Sequence, residues 1–144
     1  MSEHELYIMI ADYLRLQYPD VIYRFDLAAD LKLSIGQASK HKRLQRFRGY
    51  PDLFIAQAKL QQTKDGLPAV THGLFLEIKK DGTKILKKNG ELVADEHIRE
   101  QAKMLQALER RGYRAMFAVG FEQAKQIIDD YIGRKKGGVD IVEF

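Results

Sequence analysis

Residues 74–79 read Leu-Phe-Leu-Glu-Ile-Lys. A short apolar run of this kind, preceded by Gly73 and followed by Asp81-Gly82, reads as a strand of a sheet covered by other elements. Yet the run carries Glu77 and Lys79. The run Pro51–Ile55 raises the same problem, because its second residue is Asp52. Ionised groups at buried sheet positions are expensive unless something compensates them, so these three residues ask for an explanation.

The surrounding sequence supplies the elements that would enclose such strands. Ser2 followed by Glu3 and Glu5 marks a helix start. Leu6, Ile10, Tyr13, Leu14 and Gln17 recur at helical spacing, Tyr7 and Met9 widen the stripe, and Pro19 ends it. Residues 21–28 alternate as a strand does. Residues 34–46, opening on Ser34, read as a short basic helix or an ordered loop. Gly49 and Pro51 precede a strand over 52–58, where Pro at the entry needs to donate no ladder bond. Residues 59–72 are polar and turn-rich, with Asp65-Gly66 as the tip. After the strand 73–79, two turn signals, Asp81-Gly82 and Asn89-Gly90, predict a protruding ribbon or loop. A helix over 96–111 follows, with Ile98, Ala102, Leu105 and Leu108 as its stripe and Gly112 as its stop. Then come a strand at 113–120, a helix at 121–132 and a short last strand at 139–144. This alternation predicts a mixed sheet with helices packed on it, in a single domain spanning 1–144 without repeats or linkers.

Charge is unevenly placed. The net charge is only +4, but residues 32–48 hold six Lys or Arg and no acid, and residues 79–88 hold five Lys against Asp81. Arg134, Lys135 and Lys136 form a third cluster. Separate basic blocks on a nearly balanced chain point to a polyanion partner, although solvated loops look the same. The chain has no cysteine, which excludes disulfides, thiol nucleophiles and thiolate zinc sites and fits a reducing compartment such as the cytoplasm. No signal peptide and no membrane span is expected. His4, His41, His72 and His97 show no zinc-binding pairing, and no nucleophile elbow or phosphate-binding glycine loop is present.

Side chains two apart on a strand share a face, so Glu77 and Lys79 point one way and Leu76 and Ile78 the other. If Asp52 ends a neighbouring strand, its carboxylate can meet that of Glu77. Two carboxylates in close quarters repel unless a cation lies between them, and Mg²⁺ is a hard cation held by one or two carboxylates. Such an ion would polarise a phosphoryl oxygen and acidify water, with Lys79 orienting that water or stabilising charge on the phosphate. The ordinary alternative is an edge-strand salt bridge between Glu77 and Lys79.

Pro51-Asp52 followed by Glu77-Ile78-Lys79 resembles the signature of the PD-(D/E)XK nucleases. The ordered set RGYPDLFI, HGLFLEIKKDG and EHIREQAKMLQALERRGYRAMFAVGF is similar to the VRR-NUC branch, including its stand-alone phage and bacterial members, over roughly residues 3–132. The resemblance implies a Glu on the first helix as a further metal ligand. Glu3 shares a face with Tyr7, Ile10 and Leu14, and EHEL is similar to the EREL of archaeal junction-resolving relatives. Glu3 is therefore expected and Glu5 is the fallback; either could instead serve only the helix N-terminus. The resemblance also implies the backbone carbonyl of Ile78 as a ligand and Gln101 as a partner of phosphate or active-site water. Lys42, Arg48 and Lys80 are expected to touch DNA phosphates.

The expectation is thus an α/β chain of restriction-endonuclease-like type, with a mixed central sheet of four to five strands flanked by helices. Its function would be Mg²⁺- or Mn²⁺-dependent hydrolysis of DNA, selective for branched or junction structure rather than sequence. Resemblance to small junction resolvases implies a homodimer, which would suit cutting two strands. The alternatives are an inactive nuclease-like module that binds nucleic acid without cutting it, and a structural protein whose basic patches are incidental.

Overall fold

The computed structural model describes residues 1–26, 33–62 and 64–133. The basic cluster 134–136, the expected last strand 139–144, the end of the strand expected at 21–28 and Lys32 lie outside the described residues.

The chain runs α1 (Glu3–Gln17), β1 (Tyr23–Phe25), α2 (Ile35–Leu44), β2 (Leu53–Ile55), β3 (Lys59–Gln62), β4 (Pro68–Thr71), β5 (Leu74–Lys79), α3 (Glu96–Arg110), β6 (Arg114–Val119) and α4 (Gly120–Ile132). The main sheet has the order β1-β2-β5-β6. β1, β2 and β5 pair antiparallel, and β6 joins β5 in parallel after the α3 crossover.

Alternation along β5 divides the core in two. Leu74, Leu76 and Ile78 pack with Leu53 and Ile55 beneath α1 and α4, whose Ile10, Leu14, Ala124 and Ile128 are fully buried. Phe75 faces the other way, toward Leu105 of α3, Ala115, Phe54, Tyr113 and Phe117. Phe54 and Phe75 stack at 4.4 Å between centroids, and Tyr113 meets Phe75 edge-on at 5.2 Å. Every side chain of β5 is therefore covered, and Glu77 and Lys79 stand on the α3 side.

Local chemistry sets the helix starts. Ser2 and Glu5 form a reciprocal capping box on α1, Ser34 and Gln37 form another on α2, and Asp95 caps α3. Residues 34–46 thus contain a helix rather than an ordered loop. α4 is clamped to α1 by Asp129, whose Oδ1 accepts from the hydroxyls of Tyr13 at 2.6 Å and Tyr18 at 2.5 Å.

Two expectations need correction. The strand expected at 52–58 pairs only over Leu53–Ile55. Beyond it the chain is drawn onto α4: the Tyr131 hydroxyl donates to the Gln57 carbonyl at 2.5 Å, and Lys59 donates to the Asp130 carbonyl at 2.8 Å. Residues 59–72, expected as a polar turn-rich stretch, contain the β3–β4 hairpin, with Gly66 at φ +78° near its tip. Both of its strands are largely exposed, so no apolar alternation announced them.

Gly120 links β6 to α4 at φ +81°, and a Cβ there would lie 2.0 Å from Asp81 Oδ1. Positive φ strains any residue with a side chain by about 1–2 kcal/mol. Gly120→Ala is expected to lower Tm by roughly 5 °C or more in a calorimetric scan.

Candidate active site

Among the described residues, four polar or charged side chains are buried: Asp52, Glu77, Lys79 and Gln101, each no more than 9% exposed. All four converge where β2 and β5 lie side by side. The register that sets Leu53 opposite Leu76 puts Asp52, one step before β2, across from Glu77. Asp52 is held there from two directions, since its Oδ2 accepts from the backbone N–H of Ile78 at 2.8 Å and its carboxylate from the Tyr7 hydroxyl of α1.

The contacts of Glu77 are unevenly shared between its two oxygens, and the Asp52 backbone N–H also acts on the carboxylate. Its Oε1 accepts from the Gln101 amide of α3 and lies 3.9 Å from the Lys79 ammonium. Its Oε2 is buried with no hydrogen-bond partner, as is Gln101 Oε1. The Gln101 amide nitrogen also lies 3.2 Å from His97 Nε2, one turn earlier on α3. A buried carboxylate oxygen without a hydrogen-bond donor is costly.

Electrostatics follow from this crowding. Burial pushes Asp52 up to about 6, against the Tyr7 and Ile78 hydrogen bonds that hold it down. Burial and the neighbouring Asp52 push Glu77 up to about 9, with Lys79 opposing. Glu3 adds to both shifts. Desolvation is thus the first cause for both acids, and the charge of Asp52 adds to it for Glu77.

Glu3 is half-buried and acts on Asp52 and Glu77 through its charge, whereas Glu5 spends its carboxylate on the Ser2 backbone N–H at 3.0 Å. Among the described residues, however, no three Asp, Glu, His or Cys side chains form a ready cluster for a metal. Asp52 and Glu77 are an adjacent pair, and Glu3 does not complete a three-acid cluster with them. Ile78 sends its side chain to the α1–α4 core while its backbone meets Asp52. Lys42, Arg48 and Lys80 are exposed, and among the described residues no hydrogen bond or ion pair joins them to the acids. In the sequence Tyr7 reads as part of the α1 packing stripe, and its hydroxyl gains a partner only in the fold. Its position four residues after Glu3, on the face turned to the sheet, was the available signal.

The pair fits a hard divalent cation chemically, because the unpartnered Glu77 oxygen and the raised pKa values of both acids are relieved by positive charge. No helix among the described residues is long and apolar enough to cross a membrane.

No family model matches the chain, and no curated protein matches it. A solved structure described as a VRR_NUC domain protein is similar over 99% of this chain and 98% of its own, at 27% sequence identity and a TM-score of 0.60. The motif resemblance therefore extends to the architecture, and this chain has the mixed α/β fold of a VRR-NUC domain, a nuclease-like domain.

Proposed function

We propose that this chain is a metal-dependent nuclease that hydrolyses DNA phosphodiester bonds, with Asp52 and Glu77 as the principal ligands of Mg²⁺ or Mn²⁺. The observation that carries the reading is the burial of Asp52, Glu77, Lys79 and Gln101 together at one sheet end, with Glu77 Oε2 left without a partner. A fold that only gripped DNA would gain nothing from burying two mutually repelling acids.

Asp52, Glu77, the carbonyl of Ile78 and, on closing toward the pair, Glu3 would hold the ion. When bound, a divalent cation supplies a Lewis acid that neutralises phosphate charge and lowers the pKa of water. The remaining work falls to the chain. In hydrolysis a water oxygen bonds to phosphorus, the bond to one sugar oxygen breaks, and the water's proton is lost to solvent while the leaving oxygen gains one. The Lys79 ammonium donates to the phosphate oxygen on which charge grows, or to the attacking water, and so positions it. Gln101 fixes the Glu77 carboxylate through its amide, which keeps the second oxygen turned to the site. Tyr7 and the Ile78 N–H do the same for Asp52.

Plasmid, flap and four-way-junction DNA incubated with Mg²⁺, Mn²⁺ or EDTA test the reading. Expected is cutting that needs metal, is strongest on branched DNA, and is lost in Asp52→Asn. Shifted but uncut DNA under every condition would make the chain a binding module instead. Two sites on a symmetric dimer would suit paired cuts, and sedimentation of the protein with and without junction DNA measures whether such a dimer forms.

The exposed Lys42, Arg48 and Lys80 are suited to phosphate contact without base readout. Replacing any one with alanine should weaken binding evenly across sequences. The slope of log K against log salt should then become shallower by roughly 1.

A further inference from the structure

A groove of about 840 Å³ runs beside the candidate active site, between the segment 44–50 and one face of α3. Its α3 wall is formed by Glu100, Lys103, Met104, Ala107 and Leu108 and continues to Arg111. Glu100 is the chain neighbour of Gln101, which contacts Glu77. From Glu100 to Arg110 the helix rises about 15 Å, which sets the length of the groove along α3.

Its chemistry is of two kinds. Arg46, Arg48, Lys103, Arg110 and Arg111 line it against the single carboxylate of Glu100, and none of the five cations is ion-paired among the described residues. Two aromatic rings lie exposed among these charges: Phe47 at 65% and Tyr50 at 44%. Tyr50 abuts Phe75 of the core edge-on at 5.6 Å, and the Arg46 guanidinium lies 5.5 Å from the Phe47 ring centre. Gly49, between them, runs against α3 so closely that a Cβ would lie 3.3 Å from the Glu100 carbonyl.

We propose that this groove holds a single-stranded arm of the DNA substrate, with unstacked bases lying on Phe47 and Tyr50 and phosphates against the surrounding cations. The inference rests on the nuclease reading for its DNA. Duplex bases already stack on one another and offer an exposed ring no face, whereas unpaired bases do, and aromatic rings set among cations are the usual platform for single strands. A second copy of this chain is disfavoured as the occupant, since it would bring the same five cations into a space with one carboxylate to meet them. The groove would thus select substrates in which a single-stranded segment adjoins the bond to be cut.

Binding of fluorescein-labelled oligothymidylate and of a duplex of equal length, followed by anisotropy in EDTA, tests this without cleavage. Phe47→Ala is the informative variant, because the ring is mostly exposed and its loss leaves the core untouched. Expected is a loss of single-strand affinity of about tenfold with duplex affinity changed less than about twofold. Arg46→Ala with Arg110→Ala should weaken both. An unchanged single-strand affinity in Phe47→Ala, or an equal loss for the two DNAs, overturns the proposal. So does a dimer that dissociates in Phe47→Ala, which would make the groove a self-interface. The nuclease reading fails separately: a protein that binds single strands through Phe47 yet cuts nothing in Mg²⁺ or Mn²⁺ keeps the groove and loses the hydrolase.

Discussion

Lys79→Ala is expected to lower the cleavage rate about a thousandfold, the range associated with removing a positioned proton-handling or charge-stabilising group, while DNA affinity in EDTA changes little. Lys79 is 9% exposed and its ammonium lies 3.9 Å from Glu77 Oε1. An exposed ion pair on a sheet edge would be worth a few tenths of a kcal/mol and nothing in rate, so the variant separates the two explanations of Glu77–Lys79 sharply. A second consequence concerns pH. The ammonium opposes the upward push on both Asp52 and Glu77, so its removal lets both acids hold their protons to higher pH. Whatever activity survives should therefore rise with pH along a limb displaced to the alkaline side of the wild type's. Lys79→Arg keeps the charge and should restore that limb more fully than it restores kcat, because a planar guanidinium does not reproduce the ammonium's donor geometry. Equal rates for wild type and Lys79→Ala in Mg²⁺ and Mn²⁺ would remove Lys79 from the mechanism.

How far the sequence discloses this site depends on what each residue's signal is made of. β5 is legible because burial on both faces leaves an apolar run whose two charges are conspicuous. Its partner β2 is legible for the same reason, but the adjacency of Asp52 and Glu77 was only conditional on paper. It needs the pairing Leu53↔Leu76, and no local pattern fixes which strands pair. The β3–β4 hairpin left no apolar trace because backbone pairing, not burial, holds its exposed strands. Helical periodicity favours Glu3 over Glu5 by placing it on the face of Tyr7, Ile10 and Leu14. The capping box settles where the Glu5 carboxylate goes, though Glu3 itself does not complete a three-acid cluster. Tyr7 was hidden more deeply. An aromatic in an apolar stripe looks like packing, and its hydroxyl acquires a role only when α1 is laid across the end of β2. The groove beside α3 was illegible for a similar reason, since Phe47 and Lys103 become neighbours only through the close passage of Gly49.

Glu77→Gln should abolish metal-dependent cutting and yet stabilise the metal-free protein. A carboxyl held near 9 in the fold and near 4.5 when unfolded weakens the folded state wherever the unfolded chain would be ionised. Below about pH 4.5 it imposes no penalty. As pH rises, the unfolded chain releases the proton first, so stability falls through the interval up to the folded value and then levels off. Asp52, raised from 3.8 to about 6, adds a smaller decline over its own interval. An amide at position 77 keeps the shape, can still accept from Gln101, and does not titrate. At pH 7 the variant is therefore expected to be more stable by about 2 kcal/mol, a figure set below the full linkage value because burial in the unfolded reference and local relaxation both reduce it. That corresponds to a Tm higher by roughly 5–10 °C. The difference should shrink toward pH 5 and grow toward pH 8, a trend that a simple gain in packing would not produce. Mn²⁺ should reverse the order. Bound at about 100 times its Kd, it stabilises the wild type by about 2.7 kcal/mol through mass action, and it leaves the amide variant, stripped of one anionic ligand, nearly where it was. Thermal scans of both proteins at pH 5, 7 and 8, in EDTA and in Mn²⁺, give the comparison. A variant less stable than wild type in EDTA at every pH would mean that Glu77 is held for its hydrogen bonds, and the case for a carboxylate pair kept for a cation would fall with it.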